Sequence, residues 1–169
     1  MVHNNFGRLY IWTSEYEKAK GHFSRAISIF DSTGSHHDSL NWCRIGFASA
    51  KAMNNEKDID HESLYSYTLE NKCKFMEGVM YMDIARTLMN LDDRFIDEAE
   101  DCVKKAIEAD TRNGTRWQLG QDYAVYSDLS KRKGDLPKAR EHLSKAIEIM
   151  KECGADGWVT RYEKELARL

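Results

Sequence analysis

His36, His37 and Asp38 form the most metal-like group in the sequence. Imidazole and carboxylate are ligands for a divalent ion, and such an ion could activate water. Adjacent side chains do not converge easily, however, and no third or fourth ligand follows at a suitable spacing. A solvated joint with an acid at a helix start is expected instead. Two carboxylate pairs, Asp92/Asp93 and Glu98/Glu100, have the residue types for acid–base work. They fall at a turn and on an outer helix face, where nothing would shift a pKa. Cys153 with His142 has the types of a nucleophile and its base but no sequence frame around it. No G-x-x-x-x-G-K-S/T, H-E-x-x-H, G-x-S-x-G or G-x-G-x-x-G occurs. The expectation is therefore no catalytic residue, no metal and no cofactor. Trp12, Trp42, Trp117 and Trp158 have faces that could stack on a ligand ring. Each falls at a helix-packing position or helix end, so a core role is expected.

These residues sit in a chain of 169, a length for one domain or one short repeat array. Charged residues make up 31%, and mean hydropathy is −0.67. No stretch reaches 18 consecutive apolar residues, so no membrane span is expected. The balance of 25 Lys+Arg against 28 Asp+Glu gives −3 and a pI near 6.1, a poor footprint for nucleic acid. A single proline leaves long helices unbroken and argues against an all-β fold. No secretory signal is visible at the N-terminus. Cys43, Cys73, Cys102 and Cys153 are widely spaced without any C-x-x-C. They read as reduced thiols in a cytoplasmic chain, not as a disulfide frame or zinc site.

Sliding the sequence against itself by about forty residues brings four columns into phase. Ala26 meets Ser66, Ala106 and Ala146. Ile27 meets Tyr67, Ile107 and Ile147. Ile29 meets Leu69, Ala109 and Ile149, and Ala19 meets Ile59, Ala99 and Ala139. Each mark lies in a helical pattern: Tyr16, Ala19, Phe23, Ala26, Ile27 and Phe30 follow steps of three and four. Ser14 with Glu17 has the capping-box spacing, and Pro137 follows Gly134-Asp135 in a first turn. A second set of helices lies between the first, around Leu9, Trp42, Ile84 and Trp117. Gly and Asn punctuate the joints at 31–37 and 111–115, whereas the joint at 70–78 is weak enough for one longer helix. Residues 156–169 read as a last amphipathic helix with Asp156 as N-cap and Trp158, Tyr162, Leu166 and Leu169 inward. The expected units are 1–33, 36–72, 74–111 and 115–153, followed by a cap over 156–169.

These residues resemble the tetratricopeptide repeat family. Its pattern of small and large residues is met by Gly7, Tyr10, Ala19, Phe23 and Ala26 in the first unit. The second keeps Trp42 and Gly46 but has Ile59 where a small residue belongs. The third has Ala85, Leu88, Ala99, Val103 and Ala106; the fourth has Ser127, Ala139, Leu143 and Ala146, with a similar turn in GDLPKA. The period exceeds the family's usual roughly 34, and no proline follows the second helix of any unit. Longer repeats of this kind resemble the C-terminal regions of bacterial signalling proteins, namely cyclases coupled to an AAA-type ATPase and STAND-type activators. The resemblance implies an all-α fold: a right-handed α-solenoid of about four hairpins plus a capping helix. It also implies a non-catalytic protein-interaction scaffold. The uncapped start at residue 1 suggests a piece of a larger regulatory protein.

In that architecture the first helix of each unit lines a concave face. The stripe expected to meet a partner is Asn4, Arg8 and Ile11 in the first unit and Cys43, Phe47 and Lys51 in the second. Val79, Met82, Arg86 and Met89 follow in the third, and Ala124, Asp128, Lys131 and Arg132 in the fourth. Phe47, Met82 and Met89 suit an apolar segment. Arg8, Arg86, Lys131 and Arg132 suit carboxylates. The partner is expected to be a protein or peptide segment, in trans or within the same chain. The alternatives are a small helical metal-assisted enzyme and a self-association element using residues 1–13 or the last helix.

Overall fold

The computed structural model describes residues 2–34 and 36–169. Met1, the expected start of the first unit, and Ser35, in the first joint, lie outside the described residues. Nine α-helices and no strand occur among the described residues. They are α1 (Val2–Trp12), α2 (Tyr16–Thr33), α3 (His37–Met53), α4 (Glu62–Glu70), α5 (Glu77–Leu91), α6 (Ile96–Asn113), α7 (Arg116–Arg132), α8 (Leu136–Glu152) and α9 (Asp156–Leu166). Short 3-10 turns at Lys74–Met76 and Asp93–Phe95 lead into α5 and α6. None of these helices is long and apolar enough to cross a membrane.

The strongest sequence patterns become the cleanest helices. α2 buries Ala19, Phe23, Ala26 and Phe30, and α6 buries Ala99, Cys102, Val103 and Ala106. Both stop where a glycine takes a left-handed conformation, Gly34 at φ 59° and Gly114 at φ 69°. Asp135 caps α8 by accepting from the Lys138 amide at 3.1 Å, with Pro137 in the first turn. Two expected caps are not formed. Ser14 takes φ 61° in the turn, Glu15 becomes the residue before α2, and no side chain caps the helix. Asp156 lies inside the first turn of α9, where its charge still faces the positive helix end.

The second unit departs most from its neighbours. Residues 54–61 form an irregular connection, held by Lys51 Nζ on the Asp58 carbonyl at 2.7 Å and Lys57 Nζ on the Asn90 carbonyl at 2.5 Å. The weak joint at 70–78 is a break, not a continuous helix. Asn71 folds it locally: its side-chain amide donates to the Cys73 carbonyl at 2.8 Å, and its oxygen accepts from the Cys73 amide at 3.2 Å.

Each helix from α1 to α3, and again from α5 to α9, packs on the next in the chain. The short α4 lies against α3 and α5, and α3 packs directly on α5. The odd-numbered helices also touch in order, α1 on α3, α3 on α5, and α5 on α7. Small residues permit these approaches. The Phe23 ring sits between Gly7 of α1 and Gly46 of α3, where a Cβ would come within 2.8 Å and 2.7 Å of it. The first and last elements meet as well. The Trp12 ring at the end of α1 lies 5.0 Å from that of Trp117 and 6.2 Å from that of Trp158.

Candidate functional site

That meeting leaves a half-enclosed hollow of about 380 Å³ between α1, α3, α5 and α7. Trp12, Trp42 and Trp117 supply flat apolar walls, with Val79 and Met82 of α5 beside them. The exposed Phe75 stands at its edge. The three tryptophans are therefore packed, as expected, but they converge on one cavity instead of filling separate cores. Trp158 stands behind them, edge-on to both Trp12 and Trp117.

Arg8 and Arg86 line the polar wall, and behind them lies Asp83, which is wholly buried. Its two carboxylate oxygens hold two guanidinium groups: Arg8 of α1 donates to one at 2.6 Å and Arg86 of α5 to the other at 3.3 Å. A buried carboxylate needs such partners because its desolvation is costly. Arg8 also lies over the Trp42 ring, 4.4 Å from its centre, which sets guanidinium and indole face to face. Gln121 and Asp122 of α7 complete the wall, both buried.

Asp122 faces Asp110 of α6. Burial raises the pKa of Asp122 well above the ordinary carboxyl range, and the neighbouring charge and hydrogen bond of Asp110 raise it further. Burial raises Asp110 too, while Thr115 opposes this by donating to its carboxylate at 2.5 Å. Of the two carboxyls, Asp122 is the one whose surroundings most favour the protonated form. One carboxyl oxygen on each residue is buried without a hydrogen-bond partner. Gly78 makes room for the arrangement, since a side chain there would collide with the Asp110 carboxyl.

Of the residues expected along a partner-facing stripe, Arg8, Met82 and Arg86 meet on the wall of this hollow. Asn4 and Met89 are buried, at 2% and 6% exposure, and present no open surface. Phe47 and Lys51 instead line a shallow depression with residues of α4 and the 54–61 connection. Asp128 and Lys131 pair with each other at 3.3 Å on the outer end of α7, and Lys131 reaches Glu165 of α9. Arg132 donates to the Met89 carbonyl. The stripe divides because α3 turns Trp42 inward in place of Cys43 and Phe47, while α7 enters the hollow with Trp117 and Gln121, one or two turns before Ala124 and Asp128 on the same face, and with the neighbouring Asp122.

The other chemical candidates stay apart. Among the described residues no group of three His, Cys, Asp or Glu could hold a metal ion. His36 and His37 are exposed, and Asp38 accepts from the Lys72 amide at 2.9 Å. Asp92 accepts from the Arg94 amide, and Glu98 from the Tyr65 hydroxyl at 2.6 Å. Contrary to the expectation that nothing shifts this pair, Glu100 is lowered to about 2 by Lys104 and Lys133, which favours its anion and not a proton donor. Cys153 and His142 stand about 16 Å apart along the α8 axis. No protein-family profile and no curated protein sequence matches the chain at a significant level. Function is therefore read from the geometry of the hollow.

Proposed function

We propose that the chain is a non-catalytic recognition module, built as a right-handed α-solenoid of four tetratricopeptide-like hairpins and a capping helix. On this reading it serves within a larger cytoplasmic signalling or regulatory protein. The coil is supported by the contacts of the odd-numbered helices in order and by the small-on-large packing at Gly7, Phe23 and Gly46. Recognition is supported by one observation: α1, α3, α5 and α7 each send side chains into the same hollow. A fold whose every inner helix contributes to one concavity concentrates binding groups there. A partner segment lying across the mouth would touch Phe75, which is 62% exposed.

The test is site-specific photo-cross-linking in cells producing the protein. p-Benzoylphenylalanine replaces Phe75 in one variant and Arg140, exposed on α8, in another. The expected result is a discrete cross-linked partner from position 75 that position 140 does not capture. Identical products from both positions, or none from position 75, would overturn the reading.

A further inference from the structure

Trp12, Trp42 and Trp117 are each only half-buried, so the hollow they line is walled by incompletely covered indole surface. Apolar surface of this kind gains by being taken out of water. Its shape is informative. The Trp12 and Trp117 rings stand 5.0 Å apart with their planes at 65°, which forms a corner. A flat ring entering such a corner lies against one indole and meets the edge of the other. Those are the two arrangements that aromatic pairs prefer. A saturated ring is thicker and has no charge distribution to match the indole face. Val79 and Met82 supply apolar contact beside the corner. A volume of about 380 Å³ lies at the small end of ordinary ligand sites and admits one or two fused rings.

The polar wall sets the charge of what enters. Arg8 and Arg86 bring two positive charges, and both are bound to the Asp83 carboxylate. Asp83 returns one negative charge, and the Asp110/Asp122 pair returns at least one more, since one proton at most is held on Asp122 in the favoured form. No positive charge is left over for an anion. A cation fares no better, because the two guanidinium groups stand on the wall and Asp83 lies behind them. Gln121 is also engaged, through a hydrogen bond with Tyr162. An ion brought into this hollow would lose water and find no unpaired opposite charge, which is unfavourable. An uncharged ring loses little on entry.

We propose that the hollow between α1, α3, α5 and α7 binds a small uncharged aromatic molecule of one or two fused rings, seated in the corner between Trp12 and Trp117. This rests on the hollow being a recognition site but not on any protein crossing its mouth, so the two can fail separately.

The experiment is isothermal titration of the purified chain at neutral pH with four compounds on one bicyclic frame. They are 2-naphthol, which is neutral; 2-naphthoate, an anion; 2-naphthylmethylammonium, a cation; and decahydro-2-naphthol, neutral but saturated. 2-Naphthol is expected to bind with a Kd below about 1 mM. The anion and the cation should each bind about tenfold or more weakly, because neither meets an unpaired opposite charge. The saturated alcohol should bind about threefold or more weakly, the worth of a good aromatic pair. Val79→Trp places a large side chain into the hollow from a half-buried position. It should weaken 2-naphthol about tenfold or more while the helical circular-dichroism signal stays as it is. Should that variant lose its helical signal, the four compounds on the native chain still decide. No saturable binding of 2-naphthol, either ion binding as tightly, the saturated alcohol binding as tightly, or a folded Val79→Trp chain with unaltered affinity would each overturn the proposal.

Discussion

Asp122 is a carboxyl whose burial and neighbours favour its protonated form, and that has a consequence for stability. Its native pKa lies above the unfolded value of roughly 3.9. Between that value and the native pKa, the folded chain therefore holds more protons than the unfolded chain. Stability then falls as pH rises through this window. The groups facing it act in both directions: Asp110 and Asp83 favour the acid, while Arg86 favours the anion. Asp122→Asn keeps the shape and removes the titration. Urea unfolding from pH 5 to 8 should show the variant gaining on the native chain as pH rises, by up to about 1.4 kcal/mol per pH unit inside that window. Parallel curves would mean that Asp122 does not hold its proton. This residue also marks a limit of sequence reading. Arg8, Met82 and Arg86 are recognisable as inward residues by their step along a helix. Asp83, Gln121 and Asp122 are not, because a lone polar residue at helical spacing is usually a solvated one. The available signal is in RWQLGQDYAVYSDLSKR, where polar residues sit on both faces of α7, so that some must be buried.

At the scale of elements, close approach is controlled by what the inner helices lack. Gly46 faces the Phe23 ring so closely that a methyl group would sit 2.7 Å from ring carbons. At Gly21, within α2, a methyl group would meet nothing within 4 Å. Alanine favours a helix over glycine by about 1 kcal/mol in either place. Gly21→Ala should therefore stabilise by up to about 1 kcal/mol. Gly46→Ala should destabilise by about 1–3 kcal/mol, because overpacking a rigid ring outweighs the gain. Thermal denaturation of the pair checks the argument, and a rise in Tm for both would refute the close approach. The same logic explains which elements are legible beforehand. α2, α6 and α8 carry uninterrupted small-and-large periodicity, and their ends carry glycine or proline. α4 is nine residues long and follows a connection in which half-buried Ile59 stands in the small-residue column. Its place depends on side-chain bonds from Lys51, Lys57 and Asn71 to distant or local carbonyls, which no periodicity encodes.

At the scale of the molecule, the decisive feature is that the first helix reaches the last ones. Repeats at a common period imply neighbours packed in series, but the period alone does not say how tightly the series curls. Curl is the sum of small rotations at every interface, and one departure, such as the shortened α4, shifts the sum. Here α1 returns to the far end through Trp12, whose ring meets Trp117 and Trp158 edge-on. Arg8 reaches Asp83 on the way. This closure makes a cavity of what would otherwise be an open face, and it buries most of the α1 and α5 stripe. It also makes a measurable claim about energy. Edge-to-face aromatic pairs contribute about 0.5–1.5 kcal/mol beyond the area they bury. A double-mutant cycle of Trp12→Ala and Trp117→Ala should therefore return a coupling of about that size in urea unfolding. In an extended chain of hairpins these two rings would be too distant to couple, and the cycle would return zero within error. The size of the coupling thus separates a closed arrangement from an open one, and the hollow exists only in the closed one.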